Sequence, residues 1–198
     1  FAHDWIVVFM DYETKLFTVI HNDNQGLLAC IDEDTIYCGF NSKGYDQYIM
    51  KAICAGFSPE EVKQVNDWII AGNQGWECPL LRGVRFWFNN IDIKDDMQMG
   101  LSLKAIEGHL GMDICESEID FALDRRLTPA ELESTVFYCK HDVDATERII
   151  DLRKNYLHRI YFYHYYLNFF QQLVFDKKYL RGYKYDSFFY TYNNQNMS

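Results

Sequence analysis

Apolar positions along the chain fall into two patterns, short β-branched or aromatic runs and longer stretches with helical spacing. Residues 5–9 (WIVVF) and 16–20 (LFTVI) are of the first kind, and the polar residues 10–15 between them predict a β-hairpin. After a turn at 22–26, residues 27–32 predict a brief helix or helical turn, and residues 35–40 (TIYCGF) a further strand. Residues 45–56 place Ile49, Ile53 and Cys54 on one side of a helix that Gly56 ends. Ser58-Pro59-Glu60-Glu61 is a capping box and opens a helix to about residue 70. A loop over 72–79 leads to a strand at 85–93 (RFWFNNIDI), and residues 102–110 predict a short helix stopped by Gly111.

The longest helical pattern covers residues 128–151. Thr128 suits the N-cap, Pro129 the first helical position, and Glu131 completes a second capping box. Leu132, Val136, Phe137, Val143, Ile149 and Ile150 give this helix an apolar side. Tyr138 and Asp142, four residues apart, stand one turn apart on one face. Strands followed by interleaved helices and strands predict one α/β domain with a mixed sheet over residues 1–155. From 156 to 198 the chain becomes rich in Tyr and Phe and carries a net positive charge. It follows neither heptad nor alternation, and reads as a separate aromatic tail rather than a base-stacking platform.

Composition narrows the function. A length of 198 residues with 48% hydrophobic content supports one domain with a true core. No apolar run reaches a membrane span and no signal-peptide pattern opens the chain, so a soluble cytoplasmic protein without membrane partners is expected. The six cysteines lack a CxxC pair and read as reduced, mostly buried thiols. A net charge of −10 argues against coating nucleic acid by general electrostatics, and leaves room for acidic groups gathered round metal cations.

Two short constellations carry candidate chemistry. Asn41-x-x-x-Tyr45-Asp46 places an amide, a phenol and a carboxylate at a strand-to-helix junction, where α/β sites are built. Tyr138-x-x-x-Asp142 follows on the capped helix. Asp46 and Asp142 supply oxygen ligands suited to Mg²⁺ or Mn²⁺, and are expected to meet at one sheet edge. Asp92 and Asp95 read as a solvated strand end, and Trp76 as the anchor of its own loop. Cys139 and His141 flank Lys140 on different helix faces, so no zinc site is assigned.

The order of these motifs resembles the second and third motifs of the DEDD superfamily of 3′–5′ exonucleases, in the branch with Tyr in the last motif. That branch includes the proofreading domains of DNA polymerases. The runs GFNSKGYDQYIMKAI, GLSLKAIEGHLGM and LTPAELESTVFYCKHDVDATE are further similar to the exonuclease domain of polymerase-like proteins from phages and prophages of Gram-positive bacteria. The resemblance covers residues 1–156. It implies a ribonuclease H-like three-layer fold, two divalent cations (Mg²⁺ or Mn²⁺), and hydrolysis of the terminal phosphodiester at a single-stranded DNA 3′ end, with RNA also possible. It implies a DNA polymerase domain as partner and a bacterial host cytoplasm. Carried over, Asp46 and Asp142 match metal ligands, Tyr138 matches the catalytic residue that orients the attacking water, and Asn41 and Tyr45 match substrate binding or motif support.

The family's first motif, Asp-x-Glu on the central strand, has two candidate placements. Asp11-Tyr12-Glu13 fits the letters but lies in the polar hairpin loop, only 35 residues before Asp46. The alternative places the motif and its strand upstream of Phe1, and the position of Asp11 favours it. The chain alone is then expected to cut weakly. The competing expectation is a non-catalytic pseudo-nuclease that binds nucleic acid or a polymerase.

Overall fold

In the computed structural model, residues 1–32, 35–95, 97 and 100–154 are described. Residues 1–152 form a compact unit. The aromatic tail expected over 156–198 lies outside the described residues.

Strands β1 (Ile6–Met10) and β2 (Phe17–His21) form the expected antiparallel hairpin, in register from Ile6↔His21 to Met10↔Phe17. Helix α1 (Asn24–Cys30) follows, capped by the Asp23 carboxylate on the Gly26 N–H. Strand β3 (Ile36–Gly39) then leads into α2 (Asp46–Cys54) and α3 (Pro59–Ile70), and the chain returns through β4 (Asn89–Asp92), parallel to β3. Both halves of the Ser58/Glu61 capping box form at the start of α3. Helix α4 (Leu103–His109) and the 24-residue helix α5 (Pro129–Leu152) complete the unit. No described helix is long and apolar enough to cross a membrane.

The molecule is therefore a mixed α/β protein, but the single mixed sheet expected from sequence is divided. One ladder pairs β1 with β2 and a second pairs β3 with β4. The ladders meet through side chains: the Phe9 and Tyr37 rings lie 5.6 Å apart, and Tyr37 meets Phe88 edge-on at 5.4 Å. Strand β4 is also shorter than the predicted 85–93. In its register, Ile36 faces Asn89, so partners for residues 85–88 would fall at 32–35, before β3 begins. An extended run forms a ladder only as long as its neighbour. Alternation nonetheless persists there, with Phe86 and Phe88 inward and Trp87 74% exposed.

Trp5, Ile20, Leu27, Met50, Ile53, Val62, Val65 and Phe88 make the main core between the hairpin and the first three helices. Of the cysteines, only Cys78 is buried, while Cys30 and Cys38 are exposed, which corrects the expectation of mostly buried thiols. All six are free.

Helix α5 packs on β1 and α4. Its N-terminus is fixed by the predicted capping box, in which Glu131 accepts the Thr128 N–H at 2.8 Å and Thr128 accepts the Glu131 N–H at 3.3 Å. Arg125 grips the same Glu131 carboxylate with two nitrogens at 2.7 Å each. The buried Asp4 accepts from the Leu127 N–H (2.8 Å), from Asn22 (3.0 Å) and from the His21 ring (2.7 Å). It thereby ties the first residues to the end of the hairpin and to the start of α5. The buried face of α5 is set by Thr135, Ala145 and Ile149. Phe137, expected inward, is 66% exposed. At 100° per residue it stands about 200° round the helix from Thr135, whereas Tyr138 and Asp142 fall on the inward side.

Candidate functional site

The junction that presents Asp46 is built around a buried carboxylate. Asp92, at the end of β4, accepts the N–H groups of Asn41 (2.8 Å), Lys43 (2.9 Å) and Lys94 (3.0 Å). This fixes the turn after β3, in which Asn41 adopts a left-handed φ of 61°, a conformation that Asn tolerates better than most residues. Asp92 is thus a buried organiser of the turn, not the solvated strand end read from sequence. Ser42 is buried and donates to Asn90 at 2.9 Å. The Asn41 carbonyl accepts from the Gly44 and Tyr45 N–H groups at 3.0 Å, and its side-chain oxygen lies 3.3 Å from Lys94 Nζ. Tyr45 donates its hydroxyl to Asn66 at 2.6 Å, tying the start of α2 to α3.

Asp46 opens α2 at this junction. Its residue surface is open to solvent, while protein crowds its inner side, and that desolvation, with the charge of Asp92 nearby, pushes its carboxyl up to about 6. Burial disfavours the charged form of a carboxylate, and so does a like charge beside it.

Asp142 and Tyr138 lie on the inward side of α5, toward α4. Burial raises the Tyr138 phenol, and the neighbouring Asp142 charge raises it further. Burial pushes the Cys139 thiol up to about 11, with added contributions from the charges of Asp142 and Asp46.

Helix α4 contributes groups to which the sequence reading gave no role. Lys104 Nζ lies 2.6 Å from Asp142 Oδ1, 3.3 Å from Glu107 Oε1, and 5.1 Å from the centre of the Tyr138 ring. Burial lowers the Lys104 pKa, but the bond to Asp142 and the charges of Asp142 and Glu107 outweigh it, so the ammonium is held above its ordinary value. Glu107 is fully buried. Ligand atoms of Glu107, His141 and Asp142 all lie within 4.8 Å of one another. The only sequence signal for this arrangement is Lys104 and Glu107 at i,i+3 on one helix face.

The Asp11 carboxylate is engaged in its own hairpin turn instead. Asp11 Oδ1 accepts the N–H groups of Glu13 (3.1 Å) and Thr14 (2.7 Å) and the Thr14 hydroxyl (2.8 Å), closing its own turn. The hairpin loop docks near the far end of α5, through Lys15 on Glu147 at 2.6 Å and Tyr12 on Asp151. Glu147 is five residues beyond Asp142, or about 7.5 Å along the helix axis.

The donor set at Asp46 and Asp142 fits a hard divalent cation. Both are carboxylates, the oxygen ligands that such ions prefer. Comparison with protein-family models, with curated proteins and with solved structures finds no match for this chain.

Proposed function

We propose that the chain is a metal-dependent 3′–5′ exonuclease domain of the DEDD type, in the branch with Tyr in the last motif, acting on the 3′ end of single-stranded DNA. What supports this reading is the order of the motifs, with Asp46 at the start of α2 after the turn that Asp92 fixes, and Tyr138 and Asp142 one turn apart on the inward side of α5. A ribonuclease H-like sheet accords with the divided ladders, because one further strand between β1 and β3 would join them into a mixed sheet. An Asp-x-Glu pair on that strand would face the same region.

Asp46 and Asp142 would hold Mg²⁺ or Mn²⁺, which supplies Lewis acidity at the scissile phosphate and a more acidic bound water. Tyr138 keeps its proton at neutral pH and can donate it or accept from water, the property needed to orient a nucleophile. Asn41 presents a side-chain amide at the junction, within reach of a terminal nucleotide. Tyr45 supports Asp46 by fixing the start of α2. The partner in this reading is a DNA polymerase domain, in a phage or prophage protein of a bacterial host.

With Asp11 committed to its turn, two carboxylates serve a site that ordinarily has four, and the chain alone cuts slowly. The test is Mg²⁺- or Mn²⁺-dependent release of mononucleotides from end-labelled single-stranded DNA. Slow release that disappears in Asp46→Ala and in Asp142→Ala supports the reading, and release that survives both substitutions sinks it. A second reading, a pseudo-nuclease that binds DNA without cutting, is favoured by the Lys104 ammonium seated on Asp142. It predicts DNA retention with no metal-dependent release at any enzyme concentration.

A further inference from the structure

Glu107 is 0% exposed, and its Oε2 has no hydrogen-bond partner. A buried carboxylate oxygen in that state is destabilising unless a donor or a cation answers it. His141 Nδ1, on the facing helix, is also buried and without a partner. These two residues and Asp142 turn ligand atoms toward a common point, all within 4.8 Å of one another. Zn–N and Zn–O bonds of about 2.0–2.2 Å set neighbouring ligand atoms roughly 3.3–3.6 Å apart, so side-chain shifts on the order of 1 Å would close the set round one ion.

The position already attracts positive charge. Lys104 Nζ reaches Asp142 Oδ1 at 2.6 Å and Glu107 Oε1 at 3.3 Å, yet leaves Glu107 Oε2 and His141 Nδ1 unanswered. An ammonium engages an imidazole nitrogen only by donating a hydrogen bond, which Lys104 does not do here, whereas a transition metal takes that nitrogen as a ligand.

We propose that Glu107, His141 and Asp142 form a divalent transition-metal site, taking Zn²⁺, Mn²⁺ or Co²⁺ through one imidazole nitrogen and two carboxylate oxygens, with Lys104 as the cation that the metal displaces. The imidazole distinguishes it from the all-oxygen pair of Asp46 and Asp142, and turns its preference away from Mg²⁺. The two sites share Asp142, so filling this one withdraws a ligand from the other. Metal binding here holds whether or not the chain cleaves nucleic acid.

Co²⁺ titration of the full chain, followed by visible d–d absorption and by calorimetry, tests the site. One ion per chain is expected, with affinity lowered at least tenfold by His141→Ala and by Glu107→Gln. Lys104→Met should raise it severalfold by removing the competing ammonium. Unchanged affinity in both His141→Ala and Glu107→Gln would overturn the proposal. So would a thiolate-to-cobalt charge-transfer band in the near ultraviolet, which would assign the ion to cysteines. Circular dichroism checks each variant, and if Glu107→Gln does not fold, His141→Ala and Lys104→Met carry the test through their opposite signs. Co²⁺ binding as described, together with an absence of Mg²⁺-dependent cleavage, would uphold this site and reject the exonuclease reading.

Discussion

Lys104 Nζ stands 2.6 Å from Asp142 Oδ1 and closes an ion pair between α4 and α5, with the buried Glu107 as its second partner. Removing the ammonium leaves Glu107 buried without a countercharge, which is the costly way to break such a set. Lys104→Met should therefore lower stability to chemical denaturation by about 3 kcal/mol. Lys104→Met/Glu107→Gln should recover more than half of that loss. A double-mutant cycle by urea unfolding reads the coupling directly, and additive losses would show that Lys104 and Glu107 do not depend on each other.

At the other end of α5, Asp11 acts in the hairpin turn and not at the metal candidates. Asp11→Ala should loosen the hairpin turn by removing its bonds to Glu13 and Thr14, while leaving any metal-dependent nuclease rate within twofold. Asp142→Ala should lower that rate by a hundredfold or more. Loss of cleavage in Asp11→Ala would instead place Asp11 in the site.

The turn that presents Asp46 should be the most sensitive part of the βα junction. Asp92→Ala strands the N–H groups of Asn41, Lys43 and Lys94, at a cost of about 3 kcal/mol. Gly39→Ala brings its Cβ to 2.7 Å from Ser42 Cβ, and that overlap should cost about 1–3 kcal/mol. Thermal melts check both, and a nuclease rate that falls further than the melting temperature accounts for would show that the turn also aims Asp46.

Acid should unfold the protein through Asp4 and Glu131. Burial acts to raise the Asp4 pKa, but the Leu127 N–H, the His21 ring and Asn22 hold it below its ordinary 3.8. The Arg125 fork and the Thr128 cap hold Glu131 at about 2, against an ordinary 4.5. Both groups are depressed in the folded state, so their stabilisation is complete above about pH 4.5 and is lost as pH falls toward 2. The urea midpoint should drop below about pH 4.5, and Asp4→Asn should make that drop shallower. An equally steep fall in Asp4→Asn would locate the acid sensitivity elsewhere.

Local chemistry was legible in the sequence wherever one segment determines its own structure. The two capping boxes, the hairpin and the Tyr138/Asp142 spacing depend on residues within a few positions of one another, and each appears in the fold. Features that depend on a distant neighbour were not legible. The length of β4 is limited by β3, the burial of Asp92 follows from the turn it organises, and the inward face of α5 is chosen by β1 and α4, which leaves Phe137 outside. Lys104 and Asp142 lie 38 residues apart, and no periodicity relates them. His141 was set aside from sequence because it points away from Cys139, yet a different helix supplies its neighbours.

The bond from the Leu127 N–H to Asp4 spans 123 residues, and it makes the site-bearing helix answerable to the first turn of the chain. Helix α5 can form locally from its own cap, but its position on the domain is set only once the hairpin has closed and Asp4 is seated between His21 and Asn22. The placement of the candidate site thus rests on a long-range contact as well as on the helix's own cap. Fraying of the first few residues would release the start of α5 and blur the placement of Tyr138 and Asp142 while every helix is still intact.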